Sequence, residues 1–209
     1  MFKLQNNRTK FVFRILLFVV ALALLGLSLL PPFLKHKALL NVGEVRLSEL
    51  ITNIKSTPAL PQTFKTTYAK VYPGVFENSM TKSAVAALFQ RPQLPCFGRF
   101  VANEYWHWFA GSGFQHKLNY VGFVWLLEDE VSQEKCFEYY LSRFDFLHNT
   151  KGPHEAAEFY CHKSLDSLNI DEQLGLILKI QNPAYFDETR NRERCAAKVI
   201  ELRERIKEY

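Results

Sequence analysis

The chain reads as a mainly α protein, with one N-terminal transmembrane helix followed by a helical domain. Three observations lead there. Residues 15–34 form an uncharged run of 20. Beyond Phe64 the apolar residues recur at helical spacing, most clearly in three segments near the C-terminus. No stretch alternates with the period of two that a half-buried strand requires.

The N-terminal element comes first. Phe11 to Leu34 reads FVFRILLFVVALALLGLSLLPPFL, and about 20 residues suffice to cross a hydrocarbon layer of about 30 Å. Pro31 and Pro32 are expected to end this helix, since each removes a donor and crowds the preceding turn. Phe11–Phe13 then complete the span while Arg14 snorkels to the headgroups. Four basic residues (Lys3, Arg8, Lys10, Arg14) precede the core of the span, and Lys35 and Lys37 follow it. That bias puts the N-terminus in the cytoplasm and the domain outside. A cleaved signal peptide is the competing reading. Its small-residue triplet, Ala21-Leu22-Ala23, lies inside the apolar run rather than after it, which favours an uncleaved anchor. The expected organisation is a cytoplasmic tail (1–10), an anchor (11–34), a juxtamembrane stretch (35–63) and a domain (64–209).

The juxtamembrane stretch contains one weak helical segment, with Leu47, Leu50, Ile51 and Ile54 on a face, ending near Pro58 and Pro61. In the domain, Gln133 to Phe146 is the first clear helix. Ser132 is its N-cap and Glu134 lies in its first turn, while Cys136, Phe137, Tyr140, Leu141 and Phe144 share one face. Ile170 to Ile180 follows, opened by Asn169 and Glu172 as a capping box, and it stops before Asn182-Pro183. Arg190 to Lys207 places Cys195, Val199, Leu202 and Ile206 on one stripe.

The net charge of +5 suggests a polyanion partner, but its distribution argues against one. Residues 1–37 hold six basic and no acidic residues. Taking those six from the total of 26 leaves 20 basic against 21 acidic residues. A nucleic-acid surface is not implied. Cys96, Cys136, Cys161 and Cys195 have no metal-ligand spacing. Outside the cytoplasm they could form one or two disulfides. Alternatively Cys136 and Cys195, on helical faces, are buried thiols. Of the six histidines, His107, His148, His154 and His162 show no partner spacing for a metal.

Ser132-Gln133-Glu134-Lys135-Cys136-Phe137-Glu138-Tyr139-Tyr140-Leu141-Ser142 is followed without a gap by Asp145-Phe146-Leu147, Gly152, Ala156-Ala157, Tyr160 and Lys163. Ser164 to Glu172 and Asn182-Pro183-Ala184-Tyr185 come next. Over Ser132 to about Asp187 this order resembles the second half of glycosyltransferase family 51, the peptidoglycan glycosyltransferase domain of penicillin-binding proteins and monofunctional enzymes. The resemblance implies a lysozyme-like helical domain acting on lipid II or glycan strands at the bacterial cytoplasmic membrane, on its outer side. Membrane lipid and cell-wall synthesis proteins are the further partners it suggests.

The first half departs from the family pattern. The family's general base is a glutamate ahead of a phenylalanine and a histidine. The register anchored on Phe76 puts Tyr72 and Pro73 where Glu-Asp would stand and Ser79 where His would stand. A tyrosine, with an ordinary pKa of about 10, is a poor base at neutral pH. The Ser/Thr/Gln-rich motif is reduced to Gly98-Arg99-Phe100-Val101-Ala102-Asn103. The family's Arg-Lys pair becomes His116-Lys117. The site residues implied by the resemblance are therefore Glu138, the retained second acidic position, and Lys117, facing the substrate pyrophosphate; Arg99 and His116 are candidates to compensate in part for the lost arginine, though neither matches the family by type. The same resemblance makes a divalent metal an option at Glu138. As a bare residue, Glu138 reads equally well as a solvent-facing position on an amphipathic helix.

Glu77 and Glu104 are candidate replacement bases, each with a surface role as the alternative. Tyr105–Phe109 and Tyr120–Leu127 are aromatic and apolar, suited either to a membrane interface or to a core. Three functions follow: a non-catalytic relative that binds lipid II, glycan or cell-wall synthesis partners; an active enzyme with a displaced glutamate; or a structural membrane-tethered helical module.

Overall fold

The computed structural model describes residues 2–109 and 111–207. Ten α-helices follow one another. Among the described residues there is no strand, only one antiparallel bridge between Asp145 and Lys151. The mainly α expectation holds.

The first helix, α1 (Phe2–Val42), corrects the reading of its two prolines, because it continues through Pro31 and Pro32 to Val42. An interior proline costs about 3 kcal/mol, so something must offset that. Beyond the prolines, Leu34, Ala38 and Val42 are buried, and α1 packs along α6 (Gly113–Glu130). Burial of each such side chain contributes roughly 1.5–3 kcal/mol. Contact is closest at Gly122, where a Cβ would lie 2.2 Å from the Leu34 carbonyl oxygen. Lys35 pairs with Asp129 at 2.6 Å across the same junction. Before the prolines, the apolar side chains from Phe11 to Leu22 and from Leu24 to Leu30 face outward, unpacked. Lys10–Val42 is long and apolar enough to cross a membrane.

The juxtamembrane segment forms α2 (Glu44–Ser56), burying Leu47, Leu50 and Ile54 as its spacing predicts. These residues join the same core as the rest of the domain. Pro58 and Pro61 carry the chain into α3 (Gln62–Val71), and α4 (Met80–Leu88) and α5 (Phe97–Glu104) follow. At the centre, α3, α5 and α7 (Gln133–Ser142) meet through aromatic rings. Phe137 lies 4.5 Å from Tyr68, 4.7 Å from Phe97 and 5.4 Å from Phe76, centroid to centroid.

Ser132 caps α7 through the Lys135 amide, as read, but the helix ends at Ser142 rather than Phe146. A tight turn takes over there. Leu147, His148 and Asn149 all have positive φ, and the Gly152 amide closes back onto the Phe144 carbonyl. Gly152 must be a glycine, since its φ is +77° and a Cβ would crowd the Ser142 carbonyl at 3.2 Å. Phe146 remains buried through the turn.

Next come α8 (Gly152–Cys161), α9 (Ile170–Gln181) and α10 (Glu188–Lys207). The Asn169–Glu172 capping box is complete. The last helix begins two residues before its expected start and is broken at Asn191 (φ −131°, ψ 43°). Cys195, Leu202 and Ile206 are buried on the anticipated stripe. All four cysteines are free thiols, and burial pushes Cys136 up to about 12 and Cys96 up to about 11.

Candidate functional site

Tyr72, which the register anchored on Phe76 sets where the family's base would stand, ends α3 and turns its ring toward Tyr68, with centroids 5.0 Å apart. Its hydroxyl accepts from the Gln181 amide. Burial raises its pKa, with only partial relief from that bond and from Arg205. Tyr68 is raised further still by burial. The position is thus packed against the aromatic core and carries no carboxylate. Ser79, where the histidine would stand, is occupied as the N-cap of α4, accepting from the Lys82 amide at 3.1 Å.

Glu138 points into the fold and is 3% exposed. Lys135 reaches one oxygen at 2.8 Å, and Lys65 reaches the other at 3.1 Å. The Leu60 amide donates to the second oxygen at 3.2 Å. Lys65 also holds Glu134 at 2.6 Å, and Lys135 donates to the Thr57 carbonyl at 2.6 Å. Burial works against the Glu138 charge, but the two ammonium groups outweigh it and lower its pKa. The pairing likewise raises Lys65 against its own desolvation. Glu138 therefore fastens α7 to α3 and to the α2–α3 connection.

A divalent ion does not fit this donor set. Both Glu138 oxygens already serve donors, two of which are cations that would repel it. Among the described residues no three His, Cys, Asp or Glu side chains come together to hold a metal.

Arg99, His116 and Lys117 fall in another place, on α5 and the first half of α6. Tyr120 connects them. Its hydroxyl donates toward the Arg99 carbonyl (3.1 Å) and Asn103 (2.8 Å), and its ring lies 5.1 Å from Trp106, which in turn lies 4.2 Å from His116 at a tilt of 46°. Arg99 Nε and His116 Nε2 are buried without a hydrogen-bond partner. Buried polar atoms left in that state are costly; Arg99 Nε is a donor, whereas His116 Nδ1 faces the Gly111 carbonyl at 3.3 Å, which leaves Nε2 of the neutral ring an acceptor. Lys117 is exposed on the next position of the helix. Among the described residues no side-chain hydrogen bond or ion pair links this group to the Glu138 cluster.

Of the two alternative carboxylates, Glu77 is exposed and only its backbone carbonyl is engaged, by Lys82. Glu104 is different. It ends α5, pairs with Arg143 at 2.9 Å, and opens on a cavity of about 550 Å³ shared with Ser142, Arg143 and Lys151. Burial raises its pKa, and Arg143 offsets only part of that. Ser142 lies one helical turn beyond Glu138 on α7, so the cavity opens at the far end of the helix whose middle is locked by the lysines.

Sequence reasoning missed the partners of both acids. Lys135 had a signal, since it precedes Glu138 by three residues on one helix. Lys65 and Arg143 had none, because their pairing depends on how α3, α5 and α7 meet.

A family model described as transglycosylase matches residues 101–207. The match reaches His116, Lys117 and Glu138 but begins downstream of Tyr72 and Arg99. Three similar proteins are named biosynthetic peptidoglycan transglycosylase. The one from Methylobacillus flagellatus is 33% identical over 94 residues, 44% of this chain and 41% of that protein. The one from Paraburkholderia phytofirmans is 32% identical over 82 residues, 38% and 34% respectively. The one from Acinetobacter baylyi is 30% identical over 68 residues, 32% and 30%. In each case the matched stretch spans less than half of the relative's length.

Proposed function

Because the chain belongs to the transglycosylase family, we propose that it is a membrane-anchored, non-catalytic member that binds lipid II or glycan strands. Its mainly helical domain is the lysozyme-like one of that family. The observation that carries the proposal is the surroundings of Tyr72. General-base catalysis needs a carboxylate within hydrogen-bond reach of the sugar hydroxyl, and that position is filled by an aromatic ring packed on Tyr68. Glu138 offers no substitute, since its charge is neutralised inside the fold.

Binding has its own support. Arg99 and His116 hold buried nitrogens without partners, Lys117 adds an exposed cation beside them, and Trp106 supplies a half-exposed ring. That set suits the phosphates of a lipid-linked sugar. In this reading α1 anchors the chain in the bacterial cytoplasmic membrane with the N-terminus inside and the domain outside, as the basic N-terminal flank favours. Cell-wall synthesis proteins at that surface are its partners.

The test has two arms on the full-length protein in lipid: polymerisation of lipid II into glycan chains, and retention of lipid II. Retention without chains is expected, with retention lost in an Arg99→Ala, Lys117→Ala double variant that keeps its helical circular dichroism. Chains made by the wild type would overturn the non-catalytic reading, and absent retention would overturn binding.

A second reading, an active enzyme, is favoured by one observation. Glu104 is a carboxylate of raised pKa that opens on a cavity also lined by Arg143 and Lys151. In that case chains form, and Glu104→Gln abolishes them.

A further inference from the structure

Residues 79–95 leave the domain as one arm and return to it. Asn78 closes the base, donating to the Leu94 and Pro95 carbonyls at 3.0 and 2.9 Å. On α6, Glu128 accepts from the Met80 amide at 2.7 Å and from the Cys96 thiol at 3.5 Å, while Trp125 donates to Thr81. Beyond that base, α4 buries only Ser83. Its outer side exposes Val85, Leu88 and Phe89, at 50, 77 and 65%. No acidic residue occurs from Asn78 to Asn103. The arm's charges are Lys82, which is spent on the Glu77 carbonyl, and Arg91, which lies 5.9 Å over the Phe89 ring.

On another flank of the same end of α6 lies a groove of about 500 Å³. Leu39, Leu47, Ile51 and Leu126 form its floor, and Glu44, Asp129 and Glu130 its rim. Lys35 and Lys55 pair with Asp129 and Glu130. Glu44 has no ion-pair partner among the described residues, and neither has Arg91. One surface is therefore an apolar knob with a free cation, and the other an apolar hollow with a free anion. Trp125 and Glu128 hold the base of the arm, while Leu126, Asp129 and Glu130 line the groove, so the arm's base and the groove lie at one level along α6.

We propose that the groove receives the arm of a second copy of this chain, with Leu88 and Phe89 on its floor and Arg91 beside Glu44. In copies anchored side by side by α1, the root of the arm and the groove lie at the same level of α6, from which the arm projects toward its neighbour. The two surfaces differ, so the contact is head-to-tail and builds rings or open rows rather than a closed two-fold pair. Burying the knob supplies the association, and the Arg91–Glu44 pair sets the register.

The test uses full-length protein in liposomes, in a Cys161→Ser background because the other native cysteines are buried. One population carries Leu88→Cys and the other Ser48→Cys, Ser48 being a groove residue. A short bismaleimide then joins only different copies. A cross-linked pair is expected from the mixture. It should fall about tenfold when the arm also carries Arg91→Glu, and recover when the groove population carries Glu44→Arg. Thermal melts of each variant guard against unfolding. No cross-link, or one indifferent to Arg91→Glu, overturns the proposal. Quenching of a fluorophore on Leu88→Cys by spin-labelled lipid, without a cross-link, would assign the arm to the bilayer and overturn it too.

Discussion

The contact between α3 and α7 and the cavity at the end of α5 each set a glutamate against basic side chains. In the first, Glu138 is almost fully buried, meets two lysines and a backbone amide, and is held ionised. In the second, Glu104 keeps a side open to a cavity, meets one arginine, and is pushed toward its neutral form. Burial opposes the charge in both places. What differs is how many donors the fold supplies to repay it. A carboxylate given enough partners becomes a fastening and is lost to chemistry, whereas one given too few stays responsive to whatever enters beside it.

Removing the fastening is the harshest way to break this comparison. Glu138→Gln leaves Lys65, itself buried, with Glu134 alone and strands the Lys135 ammonium beside a neutral amide. A loss of about 3 kcal/mol is expected, read as a lowered unfolding midpoint in denaturant. The pH dependence has a definite sign. The folded pKa of Glu138 lies below its ordinary 4.5, so its contribution is present above that value and disappears as pH falls through the lowered one. Lys65 is raised above 10.5, so its contribution is present below that value and disappears as pH rises through the raised one. The variant should flatten both limbs of the wild-type curve. A midpoint unchanged by the substitution would mean the cluster is not a fastening.

How much of this was legible beforehand depends on how local the cause is. The helices of the C-terminal half were readable because their caps and stripes lie within a few residues of each other. Ser132, Asn169 and the Cys195–Ile206 stripe are examples. The passage of α1 through Pro31 and Pro32 was not readable, since it depends on α6 presenting Gly122 to Leu34, 88 positions along the chain. The same holds for the site. The register suggests Tyr72 for the place of an acid, but that its surroundings are a ring cluster built by Tyr68, Phe97 and Phe137 needs three helices in place. Glu138 was visible as a retained acid. Its two lysines, which decide what it does, were not weighed, and one of them comes from α3.

Putting the acid back sharpens the contrast at Tyr72. Tyr72→Glu forfeits the ring contact with Tyr68 and sets a charge in a half-buried place where Arg205 is the nearby cation. A loss of roughly 1–2 kcal/mol is expected, with no glycan chains formed from lipid II. Chain formation by this variant would show that the rest of the reaction groove is intact and that only the base was missing.

The smallest expected change in stability, and the most informative, belongs to Glu104. Its folded pKa is raised, so in the window between 4.5 and that raised value the folded state holds the proton more tightly than the unfolded one. Stability from this group therefore declines as pH rises through the window, opposite in slope to that of Glu138. Glu104→Gln removes the decline and gives up the pairing with Arg143, a residue more than half exposed. The first slightly outweighs the second once the acid is ionised, and the midpoint should move by no more than about 0.5 kcal/mol in the variant's favour. Melts of the variant and the wild type on either side of the carboxylate range should converge at low pH. They should separate in the variant's favour only as the wild-type acid is forced to ionise. If Glu104→Gln costs as much as Glu138→Gln, the cavity acid is a second fastening, and the distinction between an occupied carboxylate and a responsive one fails for this fold.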